Sequence, residues 1–170
     1  MRNMFPVCHD DRDGQASEAN GVTRNTSMKD KPFILVIEDN PGDVRLIKEA
    51  LKESSIKATL YILGDGSTAI RFLDESKQEP FLTLPSLILL DLNLPRISGL
   101  DILRHIKADD ALKRIPVIVL SSSQNPDDIA KAYDLHANCY LTKPVDFEPF
   151  INIVKAVEYF WLQLAKLPHA

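Results

Sequence analysis

The chain has 170 residues, 45% hydrophobic and 26% charged, with a formal net charge of -4 at pH 7. That length suits one domain with a full core and a tail, and is short for two. The acidic balance and the lack of any dense Lys/Arg stripe exclude a nucleic-acid footprint, and no apolar run approaches the length that spans a bilayer.

Residues 1–31 are polar, mixed in charge and aperiodic, from His9-Asp10-Asp11-Arg12-Asp13 through Ser17, Asn20 and Asn25. Such a segment buries too little apolar area to offset its ordering entropy, so a disordered leader is expected. It lacks the apolar run of a signal peptide. Of the two cysteines, Cys8 lies in this leader and Cys139 in a predicted core strand, a usage that suits a reduced, cytoplasmic protein. Met28, just ahead of the first strand, is a candidate native start.

From Pro32 onward strands and helices alternate. Phe33–Ile37 is a short apolar run that reads as a strand buried on both faces. Val44, Ile47 and Leu51 then recur at helical spacing between Asp43 and Lys52. A second strand is expected over Ala58–Ile62, followed by Asp65-Gly66 and a short helix through Ile70 and Leu73. Leu87–Leu90 is the third strand; the loop 92–98 leads from it to a helix carrying Leu100, Leu103, His105 and Ile106. Val117–Leu120 is the fourth strand. Asn125-Pro126-Asp127-Asp128 then has the form of a helix start, with a capping side chain, proline at the first helical position and acids at the positive dipole end. Cys139–Thr142 is the fifth strand, and Asp146 is placed to cap a last helix. Five strands alternating with five helices predict a three-layer α/β domain.

Four of these strands end on residues suited to phosphoryl chemistry, and parallel strands bring their carboxyl ends to one crevice. Glu38-Asp39 follows the first strand. Two adjacent acids there are costly unless a cation lies among them, and Mg²⁺ would remove that cost; alone, the pair also reads as a solvated acidic turn. Asp91 follows the third strand and could be a metal ligand or a nucleophile that takes up a phosphoryl group, though a lone Asp there is commonly a turn residue. Ser121 opens the polar run Ser121-Ser122-Ser123, which by itself could be only a loop. Lys143-Pro144 follows the fifth strand: the lysine offers a point charge for a phosphate, and the bond to proline is a candidate cis peptide.

Taken together, Glu38-Asp39, Asp91 with Pro95 and Gly99, Ser121, Tyr140 and Lys143-Pro144 resemble the response-regulator receiver domain of two-component signalling, over about Pro32 to Leu164. The resemblance implies a doubly wound, flavodoxin-like fold. Its five-stranded parallel sheet would have the order 2-1-3-4-5 with helices on both faces, in a domain of residues 32–167 that includes the extended last helix. It implies that Asp91 accepts a phosphoryl group from a histidine kinase. Asp39 would bind Mg²⁺ directly, Glu38 through water, Asp91 by its carboxylate and Asn93 by its backbone carbonyl. Ser121 would hydrogen-bond the phosphoryl group, Lys143 would pair with it, and Tyr140 would change rotamer on activation. Ser121 stands where Thr is common and Leu94 where Met is common; both departures are mild.

In the last helix Phe147, Phe150, Ile151, Ile153, Val154, Val157, Phe160, Trp161 and Leu164 spread over an arc of about 180° at 100° steps. That is wider than one surface helix needs. A second buried face is therefore expected, most simply a two-fold homodimer formed through Phe150, Val157 and Trp161. The ending from Phe160 to Pro168 and the segment Leu135–Tyr140 further resemble small stand-alone receivers paired with bacterial and cyanobacterial phytochrome kinases. No separate output domain is expected after the last helix. Two other classes share parts of this pattern. Haloacid-dehalogenase-type phosphatases need a second acid two residues after the nucleophile, where this chain has Asn93. A receiver-like docking module would keep the fold without phosphorylation.

Overall fold

The structure, a computed structural model, describes residues 32–52, 58–78 and 84–167. Residues 1–31, with Cys8, Met28 and the expected disorder, lie outside them. In chain order the elements are β1 (Phe33–Ile37), α1 (Pro41–Lys52), β2 (Thr59–Leu63), α2 (Gly66–Gln78), β3 (Leu87–Leu90), α3 (Gly99–Ala108), β4 (Val117–Ser121), α4 (Pro126–Asp134), β5 (Cys139–Thr142) and α5 (Phe147–Glu158). A π-helical turn, Tyr159–Leu164, continues α5. All neighbouring strands run parallel, in the order β2-β1-β3-β4-β5.

Alternation along β1 decides how the sheet is covered, because successive side chains leave opposite faces. Ile34 and Val36 pack with Ile47 and Ala50 of α1 and with Phe150 and Val154 of α5. Leu35 and Ile37 pack on the other face with Leu73 of α2, Ile102 and Ile106 of α3, and Ala132 of α4. Each fully buried side chain of this size contributes about 1.5–3 kcal/mol, so the two clusters hold the three layers together. Every strand's carboxyl end then lies on one edge, as the alternation predicts.

Several boundaries differ from the expectation. β2 sits one residue later than Ala58–Ile62, because its ladder with β1 pairs Phe33 with Thr59 and Ile37 with Leu63. α2 runs on to Gln78, where Lys77 bridges Asp74 at 2.7 Å and Asp109 at 2.6 Å. β5 is an edge strand whose four residues are only half-buried, so it is not the fully enclosed run expected of it. Asn125 caps α4 through Asp127 N–H with Pro126 in the first turn, as expected, whereas Asp146 occupies the cap of α5 without a side-chain hydrogen bond. The Lys143–Pro144 bond is trans, like every other peptide bond among the described residues, in line with the intrinsic preference of an X-Pro bond. α4 ends in a Schellman motif, with Ala137 N–H donating to the Ala132 carbonyl and His136 N–H to that of Tyr133. His136 takes the left-handed position there at φ 63°, which costs a non-glycine residue about 1 kcal/mol.

The tail departs most from expectation. Phe150 is 2% exposed and Val157 9%, both turned into the core, so neither can form the dimer face assigned to them. Trp161 is half-buried and packs against the same core cluster. The sheet has taken the centre of the apolar arc, not one margin of it. Past Glu158 the π-helical winding also breaks the 100° step on which the arc was drawn. Along α5 and its π-helical turn the large apolar side chains left exposed are Phe147, Tyr159, Phe160 and Leu164. Among the described residues no helix is long and apolar enough to cross a membrane.

Candidate functional site

β1 delivers two acids to the carboxyl edge of the sheet. The Glu38 N–H extends the ladder to the Leu63 carbonyl at 2.9 Å, which holds the residue in line with the strand. Its carboxylate is buried, at 3% residue exposure, while Asp39 lies exposed beside it. Asn40 then turns the chain. Its Oδ1 accepts from Gly42 N–H at 2.8 Å, satisfying a free amide at the start of α1, and its own N–H donates to Glu38 Oε1 at 3.0 Å. That turn brings Asp43, in the first turn of α1, back over the crevice.

β3 supplies Asp91, 6% exposed, whose N–H donates to the Ile37 carbonyl at 3.0 Å and whose Oδ1 accepts from Asn93 N–H at 3.2 Å. The following loop is held tightly. Ile97 N–H reaches back to the Pro95 carbonyl at 2.9 Å around Arg96, whose φ is 69°, a three-residue turn of the strained hand. Gly99 opens α3 directly against this segment: a Cβ on it would lie 2.2 Å from the Asp91 carbonyl oxygen.

β5 supplies the cation. Lys143 Nζ donates to Glu38 Oε2 at 2.6 Å, Asp43 Oδ2 at 2.8 Å and Asp91 Oδ2 at 2.9 Å. Its three donors thus meet three carboxylates from three different elements. Desolvation would lower the lysine's pKa, but the hydrogen bonds it donates to Asp43, Glu38 and Asp91 together hold it above its ordinary value. Glu38 is shifted the other way relative to its charge: burial pushes its pKa up, more than the shared ammonium pulls it down.

The acids outnumber the base. Ligand oxygens of Glu38, Asp39 and Asp91 lie within 4.8 Å of one another, and Asp43 adds a fourth carboxylate beside Lys143. An all-oxygen carboxylate set, partly buried and only partly neutralised, is what a hard divalent cation requires. The residues fit such an ion.

Ser121 ends β4 fully buried, its Oγ accepting from Ser123 N–H at 3.3 Å. The Asn93 amide donates to Ser122 Oγ at 3.2 Å and reaches Ser121 Oγ at 3.5 Å, linking the loop after β3 to the end of β4. Tyr140, on β5, donates from its hydroxyl to the Ser123 carbonyl at 2.9 Å. Glu38, Asp39, Asp91, Asn93, Ser121 and Lys143 are therefore gathered at one edge, with Tyr140 tied to the same loop. On sequence grounds Asp43 has no place in the site, and Gly99 only a place in the motif without a role. An acid in a first helical turn is ordinarily explained by the helix dipole, and the only pointer to Asp43 was its place four residues after Asp39.

Comparison with known proteins agrees with this geometry. Residues 34–155 match the family profile of the response regulator receiver domain. Over 137 residues the chain is 46% identical to the response regulator Rcp1 of Synechocystis sp., covering 81% of this chain and 93% of that protein. It is 47% identical to the phosphorylated cyanobacterial phytochrome response regulator RcpA, with a TM-score of 0.75 over 81% of this chain and 99% of that one. The Mn²⁺-bound form of Rcp1 superposes equally well, at 46% identity and a TM-score of 0.75, covering 81% and 99%. With a family match that runs from β1 into α5 over the same strand ends, the chain belongs to the response regulator receiver domain family.

Proposed function

We propose that this response regulator takes a phosphoryl group from the phosphohistidine of a histidine kinase onto Asp91, that the kinase is a phytochrome, and that the exchange occurs in the cytoplasm. The observation that carries the reading is the Lys143 ammonium, 2.9 Å from Asp91 inside a cluster of acids. The phytochrome pairing is supported by the relatives, of which RcpA is a cyanobacterial phytochrome response regulator. In the transfer the phosphorus–nitrogen bond of the donor breaks and a phosphorus–oxygen bond to Asp91 forms. Lys143 neutralises charge on the transferring group, so catalysis is positioning and electrostatics. Carboxylates of Glu38, Asp39 and Asp91, with the Asn93 carbonyl, would hold Mg²⁺, which when bound supplies further positive charge for the phosphoryl oxygens. The protein accepts one group per molecule and is not a turnover enzyme.

The signal leaves through the β4–α4 loop. A phosphoryl oxygen would draw the Ser121 hydroxyl toward it, away from Ser123 N–H. The Tyr140 hydroxyl hangs on the carbonyl of that same Ser123, so displacement of the loop changes what holds the tyrosine. Incubation with acetyl phosphate and Mg²⁺ tests the reading by intact mass. The parent is expected to gain one phosphoryl group and Asp91→Ala none; a parent of unchanged mass overturns it.

The exposed apolar tail supports a homodimer formed through Tyr159, Phe160 and Leu164 and not through the buried Phe150 and Val157. Phe160 stacks edge-on against Trp161, 5.2 Å between ring centres, which presents a fixed apolar ridge. Sedimentation at micromolar concentration should find the parent dimeric and the Phe160→Asp, Leu164→Asp double variant monomeric. A monomeric parent ends this assignment.

A further inference from the structure

Two of the three carboxylates on Lys143, Glu38 and Asp91, already have parts in the proposed chemistry. The third, Asp43, has none. We propose that Asp43 is a positioning residue for phosphoryl transfer, which together with Glu38 fixes the Lys143 ammonium over Asp91 while the charge there changes. The inference rests on the reading of Asp91 as the phosphoryl acceptor.

A lysine is a strongly hydrated point charge on a flexible four-carbon stem, so one acceptor does not fix it. Here its side chain is 7% exposed and all three of its donors are directed. During transfer the bond from phosphorus to its donor breaks and a bond to an Asp91 oxygen forms. The aspartate loses its own charge as the acyl phosphate forms, and the phosphoryl oxygens carry the negative charge in its place. The Lys143 N–H that Asp91 accepted is then free to turn to a phosphoryl oxygen. The other two donors need not move. Glu38 is held by Asn40 N–H at 3.0 Å, and Asp43 rides on α1, which is docked through Ile47 and Ala50, both fully buried or nearly so. Two rigid legs therefore keep Nζ in place while its third hydrogen bond changes partner, the kind of preorganisation that costs nothing at the moment of reaction.

Two other roles make different predictions. An acid that serves only the dipole of α1 would alter stability slightly and leave the reaction rate alone. An acid that acts only by repelling phosphate would slow the parent, so its removal would speed the reaction. Phosphorylation rates with acetyl phosphate at fixed Mg²⁺, followed by intact mass beside thermal melts, separate them. Asp43→Ala is expected to be slower by about tenfold, the rate equivalent of one charge-assisted hydrogen bond lost behind the reacting centre. Asp43→Asn keeps an oxygen acceptor and should return to within about threefold of the parent. An alanine variant at the parent rate overturns the proposal, as do two variants that are both faster, or an asparagine variant that rescues nothing. A parent that takes up no phosphoryl group overturns the functional reading itself, and this inference with it.

Discussion

Lys143→Met is expected to be destabilised by about 3–5 kcal/mol at pH 8, the usual cost of removing one partner from a buried ion pair. Methionine keeps most of the stem and its packing, so the loss isolates the charge. It withdraws the ammonium that Glu38, Asp43 and Asp91 share at 2.6, 2.8 and 2.9 Å. Two of those acids are buried and cannot be rehydrated without opening the crevice. The pH dependence has a definite sign. Burial already raises the Glu38 pKa above its ordinary value, and without the lysine it rises further. A carboxyl group that binds its proton more tightly folded than unfolded costs stability above its folded pKa and returns it as pH falls through that value. The variant should therefore approach the parent as pH drops from 8 to 5. Lys143 itself stays charged over this range in the parent, because its pKa lies above that of an ordinary lysine and its contribution fades only in strong alkali. Urea midpoints at both pH values, with and without Mg²⁺, check this. Equal midpoints for variant and parent at pH 8 would mean that the acids do not depend on Lys143.

The parts of this site that could be read from the chain are those where strand and chemistry coincide. An apolar run such as Leu87–Leu90 has few other places to go than a buried strand, and β3 occupies those four residues. The acid that follows it must then lie at the strand's carboxyl edge. The same holds for Glu38 after β1 and for Lys143 just after β5. Period and polarity failed wherever a contact depended on how elements dock. Asp43 looks like any helix-start acid until α1 is laid beside α5 on the sheet, where it comes within 2.8 Å of the lysine that follows β5. The tail's apolar arc has a width that can be read from sequence, but which part of it meets the sheet is set by α5 packing with α1, and that put Phe150 and Val157 inside. Gly99 carries no polarity or periodicity at all; only the nearness of the Asp91 backbone reveals what it does.

Gly99→Ala should lose about 3 kcal/mol or more of stability and about a hundredfold in phosphorylation rate. The added Cβ would lie 2.2 Å from the Asp91 carbonyl oxygen, 2.6 Å from Leu92 Cα and 2.9 Å from the Asp91 carbonyl carbon. All three are backbone atoms, so no side chain can swing aside. Either α3 withdraws or the Asp91 backbone shifts. Withdrawal of α3 is resisted by Ile102, Leu103 and Ile106, each fully buried against the sheet. A shift of Asp91 loosens its ladder bond to Ile37 and moves the acceptor carboxylate away from Lys143. Overpacking a core with flexible neighbours typically costs 1–3 kcal/mol, and rigid neighbours place this site at about the top of that range. Misplacement of a reacting group by about 1 Å is enough for a rate loss of about 10². Gly64→Ala is the matched control: it lies close to the same crevice, but its Cβ would meet nothing nearer than the Glu38 carbonyl oxygen at 3.9 Å. That variant should match the parent in urea midpoint and in acetyl phosphate rate. If Gly99→Ala does so too, the close approach of α3 is not what holds Asp91 in register with the lysine.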